Sequence, residues 1–285
     1  MEFPCNACLR RPGWPGQGLE SVRMASFFST ERTAHSSLAE KAGAPESSPS
    51  AVSLAIHAQG LTKLYGDFPA LQNVNLEVVR GEFLAVLGRN GAGKSTLLKL
   101  LAFLTRPSLG KLSIGGIDRE DDGDQVHRRL GLLGHDTFLY DELTAEENLL
   151  FYATLYRVPD RQEAARKTLE AVGLEAFRNE LVRNFSRGMR QRLTIGRLFL
   201  HGPDFLLLDE PFNGLDDRAV VLLENMLRQA HGEGKTILLC THQLELALKL
   251  ATKLLILDRG KIAYLGPNDP SRQDEMRELY LRFAG

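Results

Sequence analysis

Apolar positions along this chain recur in two rhythms. Ser53-Leu54-Ala55-Ile56-His57-Ala58 alternates polar and apolar side chains, as does Leu71 to Val79, and each pattern predicts a half-buried strand. Short continuous apolar runs follow at Phe83 to Leu87 and Leu130 to Leu133. Phe205 to Leu208 and Thr236 to Cys240 read as strands buried in a parallel sheet. Leu112-Ser113-Ile114 and Ile117 flank Gly115-Gly116 as a short hairpin. Helical stretches alternate with these strands. One spans Thr96 to Leu104, and another begins at its N-cap Thr144 with Leu149, Leu150, Ala153 and Tyr156 along one side. A third opens at Pro159 and ends at Gly173, and a fourth runs from Ser186 to Leu200, stopped by Gly202-Pro203. Pro267 is expected to break the sheet, with Ser271 and Asp274 capping a last helix, Glu275 to Phe283. The acidic run Glu120-Asp121-Asp122-Gly123-Asp124 reads as a solvated loop. Strands and helices in this order predict an α/β fold, with a helical block inserted between strands at about 136–200, where a partner-specific surface is expected.

Composition narrows the class. Of 285 residues, 43% are hydrophobic and 25% charged, the balance of an ordinary globular protein. A net charge of −1 gives no electrostatic argument for binding nucleic acid, and no nucleic-acid partner is expected. No apolar stretch reaches the roughly 18 uncharged residues of a membrane helix, since Lys99 interrupts the richest one. Residues 1–51 are rich in Ser, Pro, Gly and Ala without apolar periodicity and are read as disordered. Their Cys5-Asn6-Ala7-Cys8 lacks a second pair, so a zinc site is not inferred.

Chemistry concentrates after the strand at Phe83 to Leu87. Gly88-Arg89-Asn90-Gly91-Ala92-Gly93-Lys94-Ser95-Thr96 is a Gly-x-x-x-x-Gly-Lys-Ser loop between a strand and a helix, the context that a phosphate-binding loop requires. Gly88, Asn90, Gly91, Gly93, Lys94, Ser95 and Thr96 are therefore candidate nucleotide ligands, with Lys94 on the β- and γ-phosphates and Ser95 on Mg²⁺. Asp209 and Glu210 end the apolar run Phe205 to Leu208, at the sheet edge where parallel α/β folds bind ligands. Asp209 is expected to face the metal, and Glu210 to polarise the water that attacks the γ-phosphate. His242 ends the next buried strand on the same edge and can donate to a phosphate oxygen. Tyr65, in a turn about two dozen residues ahead of the loop, can lie against an adenine base.

These pieces together resemble the ATP-binding subunit of an ABC transporter from Val52 to about Gly266: Tyr65, GRNGAGKST at 88–96, FSRGMRQR at 185–192, LLLDEP at 206–211, NGLD at 213–216 and CTHQ at 240–243. The resemblance implies a P-loop ATPase core with a mixed sheet, an N-terminal antiparallel β subdomain and an inserted helical subdomain, in a domain of residues 52–285. It also implies ATP and Mg²⁺ as cofactors and a head-to-tail homodimer in which Ser186 and Gly188 of one copy cap the γ-phosphate held by the other's Lys94. Asp216 joins the nucleotide-binding set on the same ground. ATP closes the pair, hydrolysis through Glu210 and His242 opens it, and integral membrane permease subunits are driven in turn. Such a subunit sits in the cytoplasm, peripheral on the inner face of the cell membrane.

Two departures from the family pattern stand out. The usual Leu-Ser-Gly-Gly-Gln is Phe185-Ser186-Arg187-Gly188-Met189 here, which keeps the serine and the second glycine. The usual glutamine before the helical block is His135, a shorter group whose charge depends on pH, and it is placed with the catalytic residues. With Gly134-His135, Leu143-Thr144-Ala145, Pro211-Phe212 and Thr241-His242-Gln243, the chain is most similar to the haem-exporter ATPase of cytochrome c maturation. The Ser-Arg-Gly-Met-Arg-Gln-Arg run also occurs in ATPases of drug, lipid or polysaccharide exporters, and that alternative stays open. A soluble ABC protein acting on ribosomes or DNA is disfavoured, since this chain shows one ATP-binding domain and no long coiled coil.

Overall fold

The computed structural model describes residues 53–119, 123–134 and 136–284. The 1–51 stretch and His135 lie outside the described residues.

β1 (Leu54–Tyr65) and β2 (Phe68–Val79) pair antiparallel, and β3 (Phe83–Leu87) leads into α1 (Lys94–Leu101). β4 (Leu109–Ile114) and β5 (Ile117–Asp118) form the expected short hairpin, and α2 (Gly123–Arg128) precedes β6 (Leu130–Leu133). The helical block holds α3 (Ala145–Leu155), α4 (Arg161–Ala171) and α5 (Arg187–Phe199). Then come β7 (Phe205–Asp209), α6 (Asp217–Gly232), β8 (Thr236–Thr241) and α7 (Leu244–Leu250). β9 (Lys253–Asp258), β10 (Lys261–Pro267) and α8 (Gln273–Ala284) complete the order.

Two sheets result. β2-β1-β4-β5 is antiparallel throughout, and β10-β9-β3-β8-β7-β6 is mixed, parallel from β9 to β6 with β10 antiparallel at its edge. Every residue of β3, β7 and β8 is buried. Their alternate side chains feed different cores, the two-faced burial that a run of aliphatics makes possible. Leu84, Val86, Leu207, Leu238 and Cys240 join the core shared with α1 and the antiparallel sheet. Phe83, Ala85, Leu87, Leu206, Leu208, Ile237 and Leu239 join the core covered by residues of α5, α6, α7 and α8. A third core, with Leu149, Leu169, Val172, Leu174 and Leu193, binds α3, α4 and α5 to one another.

Several expectations are corrected. Gly123 and Asp124 open α2 rather than a loop, because Val126 buries its side chain and Asp124 sits in the helix's first turn, where its charge meets the positive dipole end. The helix after the phosphate loop ends at Leu101, not Leu104, and Phe103 takes a left-handed φ of 56°. Pro267 ends β10 instead of breaking the sheet; an edge strand tolerates a residue without an N–H. Asp269, not Ser271, caps the turn before α8, its carboxylate accepting from the Ser271 N–H at 2.8 Å. α6, α7, β9 and β10 carried no sequence expectation.

Thr144 is confirmed as an N-cap. Its hydroxyl accepts from the Glu147 N–H at 3.1 Å, and the Glu147 carboxylate accepts from the Thr144 N–H at 2.9 Å, a complete capping box. Thr144→Ala is expected to cost about 1 kcal/mol of stability, read as a lower urea midpoint at unchanged slope.

Candidate functional site

The strand order decides where the chemistry meets. β3 lies beside β8, and β8 beside β7, with Leu87 paired to Thr241 and Asp209 to Cys240. The loop leaving β3, the carboxylates leaving β7 and the histidine leaving β8 therefore emerge on one edge. They line a single cleft of about 480 Å³ that includes Asn90, Gly91, Gly93, Lys94, Ser95, Thr96, Asp209, Glu210 and His242. Tyr65 stands on its wall, 50% exposed.

Within the loop, Gly93 holds φ at 107°, and a Cβ there would sit 2.6 Å from the Ala70 carbonyl oxygen. Only glycine fits that approach. Lys94, 6% exposed, donates from Nζ to the carbonyls of Gly88 at 2.7 Å and Arg89 at 3.2 Å. Gly88 thus acts through its carbonyl and is not among the residues lining the cleft. The Lys94 ammonium also lies 3.6 Å from Glu210 Oε1.

Glu210 adopts φ of 50°, the left-handed region that is costly for a side-chain-bearing residue and recurs at functional sites. Its N–H donates to the Cys240 carbonyl at 2.9 Å and its carbonyl accepts from the Asn213 N–H at 3.1 Å, which fixes the turn. Its carboxylate crosses to the next strand end, where Oε2 lies 3.0 Å from His242 Nδ1 and accepts from the His242 N–H at 3.4 Å. Glu210 is therefore bracketed by an ammonium on one side and an imidazole on the other. Beneath it, Cys240 is buried, and burial pushes its thiol well above the ordinary range, so it is an inert packing residue.

Asp209 is 6% exposed, and its Oδ1 has no hydrogen-bond partner among the described residues. A buried carboxylate oxygen without a partner, in one cleft with the Ser95 hydroxyl, suits a divalent cation that prefers oxygen ligands. No cluster of three or more acidic, histidine or cysteine side chains stands ready to hold a metal among the described residues.

Ser186, Gly188 and Asp216 do not line this cleft; the structure brings them together elsewhere. Ser186 caps α5 by accepting from the Met189 N–H at 3.3 Å. Asp216 caps α6 by accepting from the Ala219 N–H at 2.8 Å, and its carboxylate fills the space a Cβ on Gly188 would need. Gln191 donates to the Gly214 carbonyl, locking the start of α5 to the 213–216 turn. Binding of nucleotide by Asp216 therefore has no support within a single chain's cleft.

Sequence reasoning missed four cleft residues: Phe68, Ala70, Arg89 and Asn213. Phe68, 65% exposed, pairs with Tyr65 across the β1–β2 turn. An aromatic immediately before Pro69 in a strand was the available signal.

A phosphate loop, a buried carboxylate oxygen without a partner among the described residues and a Glu–His pair, all on the carboxyl edge of parallel strands, are the parts of a P-loop nucleotide-binding site. The model of the ABC transporter family matches residues 71–213, and the chain belongs to that family as an ATP-binding subunit. It is 35% identical over 212 residues to the ABC transporter ATP-binding protein NatA of Bacillus subtilis, covering 73% of this chain and 86% of that protein. It is 36% identical to the daunorubicin resistance ATP-binding protein DrrA3 of Streptomyces coeruleorubidus, covering 81% and 75%. The Nod factor export ATP-binding protein I of Cupriavidus metallidurans is 37% identical, with 75% and 72% covered. Among solved structures, a dimeric ATP-binding cassette in a post-hydrolysis state with ADP and Pi aligns with a TM-score of 0.68 at 29% identity, over 75% of this chain and 99% of that one.

Proposed function

We propose that this chain is the ATP-hydrolysing subunit of an exporter, working as a homodimer under a separate membrane permease, with its ATPase domain at residues 52–285. The observation that carries hydrolysis, rather than binding alone, is the Glu210 carboxylate held between Lys94 and His242. Lys94 takes the β- and γ-phosphates and Tyr65 the adenine face, together with the first turn of α1. Glu210 accepts a proton from the attacking water, and His242 holds that carboxylate in place and donates toward the γ-phosphate. Ser95 and Asp209 would hold Mg²⁺, which when bound supplies charge neutralisation between the β- and γ-phosphates. His135, the substitute for the family's glutamine, is retained as a candidate catalytic residue on the ground of the family pattern alone.

A pair of chains fits the second cluster. Ser186 and Gly188 at the start of α5 are set apart from the chain's own cleft, so they can serve a nucleotide held by a second copy, as the dimeric form of the related cassette supports. No helix among the described residues is long and apolar enough to cross a membrane; the permease is proposed on the ground of membership in the ABC transporter family. A peripheral position on the inner face of the membrane follows from that partnership.

On the cargo, the relatives favour the second reading. By their names they serve daunorubicin resistance and Nod factor export, so export of a drug or another secreted compound has support that haem export lacks. The test is to purify the Glu210→Gln protein with ATP and Mg²⁺ from native membranes and identify its companions by mass spectrometry. A polytopic partner is expected; cytochrome c assembly factors beside it would restore the haem reading. A soluble dimer alone, or one bound to ribosomes or DNA, would sink transport.

A further inference from the structure

The last helix reaches the catalytic edge from outside it. α8 packs Met276, Leu279, Tyr280 and Phe283 against the core that also takes α7 and the alternate side chains of β3 and β8. From that seat the Tyr280 hydroxyl donates to the backbone carbonyl of His242 at 2.8 Å, across 38 positions of sequence. A second clasp lies beside it. Arg277 grips the Glu245 carboxylate in α7 with two hydrogen bonds, from Nε at 2.8 Å and Nη2 at 2.9 Å, while its Nη1 holds Asp274 at 2.7 Å. Hydrogen bonding to Arg277 keeps the Glu245 carboxyl below its usual range.

His242 needs such a hold. Its side chain is about half exposed, and its own element ends one residue earlier, at Thr241. On the catalytic side, among the described residues, its hydrogen bonds go to Glu210, which is itself in a strained backbone conformation. The next residue, Gln243, is tied to Thr241 Oγ1 at 3.0 Å and to Asn213 at 3.3 Å, which leaves the 242 carbonyl to Tyr280. Burial raises the Tyr280 phenol, and the negative charge of Glu210 raises it further, so the hydroxyl stays a protonated donor.

We propose that Tyr280 is a positioning residue for hydrolysis: α8, clasped to α7 through Arg277 and Glu245, holds the 242 peptide so that the imidazole stays on Glu210. The proposal rests on the roles given above to Glu210 and His242. Tyr280 is not among the residues lining the cleft. Its loss therefore acts on turnover and leaves the Lys94 phosphate site intact.

The experiment compares the full-length wild type, Tyr280→Phe, which keeps the ring packing and deletes one hydroxyl, and Tyr264→Phe, a control tyrosine in β10 outside the cleft. Steady-state ATP hydrolysis is measured together with the ¹⁵N resonances of the His242 ring, assigned by their disappearance in His242→Asn. Tyr280→Phe is expected to lower kcat about three- to ten-fold, the range one hydrogen bond carries, with KM for ATP unchanged and the His242 ring resonances displaced. Tyr264→Phe should match wild type in both. An unchanged kcat with unmoved resonances overturns the proposal, as does a lower kcat with unmoved resonances or a change confined to KM. If the wild type hydrolyses no ATP, the ATPase reading fails on its own. The resonances then still decide the link, displaced supporting it and unmoved ending it.

Discussion

Glu210→Gln is expected to slow ATP hydrolysis by about 10²- to 10⁴-fold while ATP binding persists, the range carried by a positioned general base. The substitution keeps the side chain's shape, its place beside His242 and the turn at φ of 50°, but removes the charge that can accept the water's proton. It also ends the ion pair at 3.6 Å with Lys94, freeing that ammonium for phosphate. ATP affinity should therefore hold or rise. With hydrolysis stopped and binding intact, the pair should stay closed, seen as a dimer by light scattering with ATP and Mg²⁺ and a monomer without nucleotide. Hydrolysis at the wild-type rate would show that Glu210 is not the base.

Lys94→Ala attacks the other half of the site. The ammonium is the loop's buried cation, and it is held in place by the carbonyls of Gly88 and Arg89. A charge-assisted contact to phosphate is worth about 1.5–3 kcal/mol, so losing even one such contact weakens ATP binding by about 10- to 150-fold. The measurement is titration with a fluorescent ATP analogue. Hydrolysis falls with binding, whereas for Glu210→Gln the two separate, and that contrast distinguishes a binding residue from a catalytic one. Equal affinity of Lys94→Ala and wild type would refute the phosphate role.

The haem assignment shows where motif reading loses force. Of the motifs behind it, Thr241-His242-Gln243 lies at the end of β8, beside the cleft that His242 lines, and reports on that cleft rather than on any cargo. Residues that handle the same phosphate chemistry are alike whatever is carried. Similarity to NatA, DrrA3 and the Nod factor export protein draws on 73–81% of the chain rather than on a few short motifs and therefore weighs more on this question.

What the sequence by itself determined was local. The Gly-rich loop needs only its own backbone freedom and the helix after it, so Gly88 to Thr96 was legible at once. Thr144 and Ser186 announced their helices because a cap acts within three residues. Asp209 and Glu210 were marked by their place after an apolar run. What only the tertiary structure decided was adjacency. The order β9-β3-β8-β7 places three separate strand ends side by side, and no local pattern encodes it, because β3 and β8 lie some 150 residues apart and pair through generic aliphatic faces. From that order come the Glu210–His242 and Lys94–Glu210 contacts, and the left-handed turn that aims the carboxylate. The separation of Ser186, Gly188 and Asp216 from their own chain's cleft, and the grip of Tyr280 on His242, belong to the same class. Each is a contact between distant segments, chosen by how helices pack across a sheet rather than by the residues on either side.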